Sequence, residues 1–150
     1  MATYPAVQTV REDRKQKGAA LVEAAITIPI LLLIAVGIFE FGRAYQFWQV
    51  LTNAAREGAR YSVTPSATAD EVKNVVVTYM TSGGLTDCDA TCVTVNRMVP
   101  LGSGTASTVT IAYPFSFIVL QPVSRLVTTG DGVRGSLTMS AAATMRNEAP

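Results

Sequence analysis

The residues with the clearest chemical potential lie close together near the N-terminus: Gly18, Ala19 and Glu23. Glu23 is the only charged residue in an apolar run from Ala19 to Phe39. A charge at the centre of a membrane-spanning helix costs about 2.5–3.5 kcal/mol, so Glu23 needs a partner or a purpose. A cut after Gly18 would create a positive amine on Ala19, and that amine could neutralise Glu23 of an adjoining copy. Alternatively, Glu23 lies at headgroup depth, where its carboxylate reaches water.

The composition excludes most catalytic chemistry. The chain has no histidine, the commonest general base and metal ligand. No Ser-His-Asp, Cys-His or His-zinc site can therefore be assembled, and no nucleophile, base and orienting group form a triplet. Twelve basic and eleven acidic residues leave a net charge of +1, which gives no basic field to hold a phosphate backbone. We expect no enzyme activity, metal, cofactor, small-molecule substrate or nucleic acid.

The apolar run must position Glu23. As a helix, Ala19–Phe39 rises about 31 Å, close to the ~30 Å hydrocarbon core of a bilayer. It could be a buried helix of a soluble domain, a cleaved secretory signal or a retained single span. The uncharged stretch Ala24–Phe39 is too long for the first, and no small-x-small cleavage site follows the run, which argues against the second. The run therefore predicts a retained membrane span.

Basic residues on one side of the run set its expected orientation. Four of them lie in the leader, residues 1–18: Arg11, Arg14, Lys15 and Lys17. Only Arg43 follows the run closely. Because Lys and Arg beside a span stay in the cytoplasm, we expect a cytoplasmic N-terminus and the remainder outside. Cys88 and Cys92 then lie in an oxidising compartment, where a C-x-x-x-C pair favours a disulfide.

The helix should continue beyond the run as an amphipathic segment, because apolar residues recur there at three- and four-residue steps. Within it, a block of small and charged residues is either a packing seam with a solvated charged edge or a surface that docks another protein. The block's candidate residues are Arg56, Glu57, Gly58 and Arg60. Thr64-Pro65-Ser66 should end the helix, since proline disfavours helical backbone before it.

The C-terminal part predicts a second helix and then strands. Thr68 and Glu71 have the spacing of a capping box, and the apolar stripe after them stops at Gly83-Gly84. Alternating side chains predict strands at 93–96, 108–113 and 137–145, the last after a turn at Gly130-Asp131-Gly132. This order is typical of an α+β fold in which a small antiparallel sheet packs on helices.

Residues 114–127 are apolar but contain two prolines, and they alternate poorly. They form either a connection that covers the core or an exposed apolar surface that touches a neighbour or the outer leaflet. The sequence does not decide between these two interpretations.

Several strings together resemble one family, the TadE-like family of the tight-adherence (Flp) pilus system. Lys17 to Glu23, followed by the apolar helix, looks like the class III signal of type IV pilin-like proteins. Pro29 in the run, the Glu40-Phe41-Gly42-Arg43 exit and the NAAREGAR block at 53–60 match the family's pattern. The closing LTMSAAATMR, residues 137–146, is similar to its terminal strand, whereas the middle matches only in outline.

The resemblance implies a type IV pilin-like fold, cleavage by a prepilin peptidase between Gly18 and Ala19, and a role for Glu23 in recognition or assembly. Major Flp pilins usually carry an aromatic residue after this glutamate and are little more than the hydrophobic helix. Here Ala24 follows, and a long further segment is present. The resemblance therefore indicates a minor pilin or pseudopilin rather than the main filament subunit.

We expect three parts: a cytoplasmic leader at 1–18, a long transmembrane and amphipathic helix at 19–63, and an extracytoplasmic α+β head at 64–150. The protein would lie in the bacterial inner (cytoplasmic) membrane or enter the pilus, with a periplasmic or extracellular head. Its partners would be the lipid bilayer, the prepilin peptidase, other pilin or pseudopilin subunits and the assembly platform. Its function would be pilus assembly, surface attachment and biofilm formation. The alternative is an unprocessed single-pass anchor for an extracytoplasmic binding or scaffold domain.

Overall fold

The computed structural model describes residues 6–102, 104–119 and 137–147, with side chains from Lys17 onward. The chain divides into two compact units, Met1–Phe39 and Glu40–Pro150. The predicted turn at 130–132 and the stretch 120–127 lie outside the described residues.

The first unit is formed by the N-terminal part of helix α1, which runs from Ala6 to Ser62. Among the described residues, α1 is the one helix long and apolar enough to cross a membrane. Its apolar side chains are exposed along this part, with Leu21 at 72% and Ile38 at 71%. The helix begins before the apolar run because Ala6 to Lys17 contain no glycine or proline and many good helix formers.

The second unit contains the C-terminal part of α1 and a second helix, α2, from Ala69 to Ser82. The predicted capping box is present: the Thr68 hydroxyl accepts a hydrogen bond from the Glu71 amide (3.3 Å). The Glu71 carboxylate in turn accepts one from the Thr68 amide (2.8 Å). The helix closes at Gly83, whose amide donates to Met80 (3.0 Å), and Gly84 then adopts a positive φ of 84°. The bounds predicted for this helix are confirmed.

Three antiparallel strands form a sheet in the order β1-β2-β3. They are β1 (Val93–Leu101), β2 (Gly104–Phe115) and β3 (Leu137–Arg146), and a 3-10 turn (Ala90–Cys92) precedes them. The first two strands are longer than predicted, and β1 contains an irregularity between Asn96 and Val99 where Met98 has a positive φ of 56°. Pro114 lies in β2 beyond the last pair with β1, so its missing amide removes no bond from that ladder.

The core of the second unit lies between one face of the sheet and the two helices. Alternate residues of the strands face it, and α1 contributes small residues that allow close packing. Its members include Leu51, Ala54, Ala55 and Ala59 from α1, Val72, Val76 and Met80 from α2, and Val93, Val109, Ile111, Tyr113 and Ala141 from the strands. The architecture confirms the predicted α+β fold with a long N-terminal apolar helix, a second helix and a small antiparallel sheet.

Candidate functional site

The residues predicted for processing and assembly lie on the first unit's part of α1. Gly18, Ala19 and Glu23 are all exposed, and a Cβ built at Gly18 would meet no atom within 4 Å. Ala19 and Glu23 are four residues apart, so they share one face of the helix, about 6 Å apart along its axis. The apolar residues after them are similarly exposed, and an exposed apolar surface of this length is typical of contact with lipid or other helices.

A buried ion pair between Glu40 and Arg43 lies at the start of the second unit. From the sequence, these two residues were noted only as part of the family pattern and not as a pair. The Glu40 side chain is 0% exposed, and the Arg43 side chain is 18% exposed. Arg43 Nη2 lies 3.2 Å from Glu40 Oε2. The Val119 amide donates to Glu40 Oε1 (2.6 Å), and Arg43 Nη2 also donates to the Ser116 carbonyl. The pair therefore connects α1 to the segment that follows β2.

Aromatic rings enclose the Arg43 guanidinium. Its central carbon lies 4.5 Å from the ring centroid of Phe115 and 5.4 Å from that of Phe47, within cation–π range. Phe47 also packs edge-on against Tyr113 at 5.9 Å, and Phe115 against Phe117 at 5.2 Å. Burial raises the pKa of the Tyr113 hydroxyl, which accepts a hydrogen bond from the Asp87 amide (3.3 Å). The Glu40 carboxylate is thus fully shielded from solvent, and most of the Arg43 side chain is covered.

The four candidate residues of the small-and-charged block divide between surface and core. Arg56 and Arg60 are exposed, Glu57 is half-buried and Gly58 is buried. Glu57 accepts two hydrogen bonds from Arg60, at 3.0 and 2.5 Å. A Cβ added to Gly58 would overlap Val76 Cγ2 of α2 and lie 3.4 Å from Val109 Cγ1 of β2. The glycine thus permits α1, α2 and β2 to approach one another, while the charged residues point outward.

An open groove of about 730 Å³ lies between α1 and α2 of the second unit. Most of its lining surface is apolar, with Val50 and Val75 among the lining residues, and its polar groups are almost entirely neutral: amides and hydroxyls from both helices and a single carboxylate, Glu57. The lining residues include Gln46, Gln49, Asn53, Asn74, Thr78, Tyr79 and Ser82. Because the one carboxylate already pairs with Arg60, the groove offers hydrogen bonding without a net attraction for ions.

The two cysteines lie on either side of the 3-10 turn. Their sulfur atoms are 2.01 Å apart, which is disulfide-bonding distance, and their Cα atoms are 6.0 Å apart. Asp89 stabilises the turn by accepting hydrogen bonds from the Thr91 amide (2.9 Å) and hydroxyl (2.6 Å). These bonds lower the pKa of Asp89 below its usual value.

Comparison with known proteins matches the N-terminal part of the chain to a protein family. The family model described as TadE-like protein matches residues 18–60, from the predicted cleavage site to the end of the small-and-charged block. No curated protein and no solved structure matches the chain. The matched segment begins at Gly18 and includes Glu23, Glu40, Arg43 and Gly58. It confirms the resemblance predicted from the sequence: over residues 18–60, this chain is similar to the TadE-like family.

Proposed function

We propose that the protein is a minor pilin or pseudopilin of a tight-adherence (Flp) pilus, and that a prepilin peptidase cleaves it after Gly18. The TadE-like match indicates a pilus-associated protein of this system. Three features that meet at Gly18 support cleavage at this position. The match begins at Gly18, Gly18 is exposed, and an uncovered apolar helix follows it.

The proposed assembly step uses the new amine and the carboxylate. After cleavage, the Ala19 amine of one copy would pair with Glu23 of a neighbour, because a charged hydrogen bond in lipid offsets the cost of burying both groups. The exposed apolar side chains of α1 would pack against the helices of other pilin or pseudopilin subunits. In this way, the protein would join or prime the pilus through the assembly platform and support surface attachment and biofilm formation.

The proposed location is the bacterial inner membrane, with the leader in the cytoplasm and the second unit in the periplasm or outside the cell. The basic leader supports this orientation through the positive-inside rule. An oxidising compartment on that side would permit a disulfide between Cys88 and Cys92. In this location, Cys88 and Cys92 would form a disulfide. The outward-facing charged residues Arg56, Glu57 and Arg60 would form a surface that docks another protein.

Co-expression with a prepilin peptidase tests the processing step. The wild-type chain should lose its leader, whereas Gly18→Asp should remain uncut, because a side chain at this position blocks recognition. Gly42→Ala serves as the matched control, since Gly42 is also an unobstructed helical glycine and its variant should be cut normally. An uncut wild-type chain beside a peptidase that cuts a known pilin would refute the processing proposal.

The second candidate is an unprocessed single-pass anchor that carries an extracytoplasmic binding or scaffold domain. The neutral groove between α1 and α2 is the observation that favours it, because the groove offers neutral hydrogen-bonding groups to a ligand. The Glu23→Gln variant distinguishes the two candidates. It should impair pilus assembly under the first and leave an anchored binding domain unaffected under the second.

A further inference from the structure

The exposed, uncharged surface of α1 extends further in the structure than the apolar run does in the sequence. In the sequence, the run stops at Phe39 because Glu40 and Arg43 follow. In the structure, both charges turn into the second unit, where they pair with each other and with the 116–119 backbone. Between Phe41 and Ala55, Arg43 is the only charged residue in the sequence. The outward side of α1 in this stretch is therefore free of fully exposed charge.

Aromatic residues occupy that outward side instead. Phe41 is 69% exposed, Tyr45 is 61% exposed and Trp48 is 46% exposed. Their i, i+4 and i+7 spacing puts them on one face of α1, and the rings of Tyr45 and Trp48 lie 6.1 Å apart. Gln49 donates a hydrogen bond to the Tyr45 hydroxyl (2.6 Å), so the polar end of that ring already has a partner.

We propose that Phe41, Tyr45 and Trp48 form an interfacial belt that contacts the headgroup and glycerol zone of the extracytoplasmic leaflet. This inference rests on the proposed membrane anchoring. Tyrosine and tryptophan favour that zone because each has an apolar ring with one polar group. The belt follows the apolar run directly in the chain, and its residues rise about 10 Å along α1.

The direction of the side chains brings the belt within reach of the interface. A bilayer with headgroups is about 40–45 Å thick around a ~30 Å core, which leaves about 5–7 Å of interface on each side. Side chains of a helix lean toward its N-terminus, which for this belt is the direction of the apolar run. Each ring thus covers a surface about one turn closer to the run than its own Cα.

A second copy of the chain is a less suitable occupant of this face. Helices in membranes approach one another through small residues, and three bulky aromatic rings prevent such an approach. Beyond the belt, the small residues Ala54, Ala55 and Ala59 of α1 are buried in the core of the same chain. The aromatic face is therefore left for lipid.

The single tryptophan makes the test direct, because Trp48 is the only one in the chain. Full-length protein is placed in phospholipid vesicles whose acyl chains carry bromine, a quencher of tryptophan fluorescence, either near the headgroup (shallow) or near the chain end (deep). The fluorescence emission of Trp48 in these vesicles is compared with its emission in unbrominated vesicles. Trp48 should lose most of its emission to the shallow bromine, lose less to the deep bromine, and resist iodide in the water. In a Trp48→Phe background, Tyr45→Trp should be quenched more strongly by lipid than Trp48 is.

Two control variants in the Trp48→Phe background show the quenching expected for a tryptophan in water and for one inside the bilayer. Tyr79→Trp moves the probe to an exposed position on α2, and it should be quenched by iodide and not by lipid. Leu31→Trp moves it into the apolar run, and it should be quenched most by the deep bromine.

If iodide quenches Trp48 as strongly as it quenches Tyr79→Trp, the belt proposal is wrong. If Leu31→Trp is quenched by brominated lipid in the same experiment, the proposed membrane anchor is unaffected by that result. Shielding of Trp48 from both iodide and bromine would overturn it in favour of contact with another copy. Absence of any lipid response from Leu31→Trp would refute the anchor itself, and the belt with it.

Discussion

Two glutamate-arginine pairs on α1 have the same i, i+3 spacing and opposite environments. The Glu40 side chain is 0% exposed, whereas the Glu57 and Arg60 side chains are 37% and 69% exposed. Removal of one partner from a buried pair leaves an uncompensated charge, so Glu40→Gln should reduce the free energy of unfolding by about 3 kcal/mol. Glu57→Gln, the matched control, should reduce it by less than about 1 kcal/mol, because water solvates the freed arginine.

Denaturation of the full-length protein in detergent micelles, followed by Trp48 emission, measures both changes. Equal effects of the two substitutions would contradict the structural role assigned to the buried pair.

The capping box of α2 makes a prediction about pH. The Glu71 carboxylate accepts a hydrogen bond from the Thr68 backbone amide, and this bond, with a smaller contribution from the Thr68 side chain, lowers the pKa of Glu71 below its usual value of 4.5. Because the pKa falls on folding, the cap stabilises α2 above pH 4.5, and its contribution disappears as the pH drops through the lower folded value. The amide resonance of Thr68 in an NMR titration should therefore shift with a midpoint below 4.5. Glu71→Gln should abolish that shift, and a wild-type midpoint at or above 4.5 would contradict the bond.

The packing of α1 on α2 and β2 depends on the absence of a side chain at Gly58. A methyl group there would overlap Val76, and a β-branched valine cannot rotate away easily. Overpacking costs about 1–3 kcal/mol, which exceeds the helix-propensity gain of about 1 kcal/mol from alanine. Gly58→Ala should therefore lower the thermal midpoint of the full-length protein. Gly42→Ala, where a Cβ meets nothing within 4 Å, should leave it unchanged or raise it. A Gly58→Ala variant as stable as the wild type would refute the close approach.

The elements that follow local rules were predictable from the sequence. The helix bounds of α2 follow from Thr68, Glu71 and Gly83, and the strands follow from alternation of apolar and polar residues. The extension of β1 past Asn96 was missed, because an irregularity with a positive φ at Met98 interrupts the alternation. A packing seam was one of two interpretations of the block that contains Gly58, but the partners Val76 and Val109 depend on tertiary packing.

The burial of Glu40 and Arg43 shows where sequence reasoning on the candidate site fails. Charged residues after an apolar run are normally solvated, so the pattern Glu40-Phe41-Gly42-Arg43 predicts the end of the apolar surface. Their inward orientation is set by the Ser116 carbonyl and the Val119 amide, which are more than seventy positions away in the chain. No local periodicity contains that information.

At the scale of the whole molecule, the oxidation state of Cys88 and Cys92 reports on which side of the membrane the second unit lies. If the second unit is extracytoplasmic, Cys88 and Cys92 are oxidised in the cell, because that compartment permits disulfides. Alkylation of membrane-fraction protein should therefore label neither thiol before reduction and both after it. Cys92→Ser provides the control, since it leaves a single thiol that should react without reduction. Full labelling of the wild-type protein in freshly broken cells, before any reductant, would contradict the proposed orientation.

A processed pilin-like subunit and an unprocessed anchor differ in one measurable feature, the N-terminus of the native protein. Intact mass spectrometry with N-terminal sequencing of protein from the membrane and sheared-pilus fractions measures that end. We expect a mature chain that starts at Ala19, with Glu23 as its fifth residue. A chain that still carries the leader residues in both fractions, in cells that assemble pili, would contradict it.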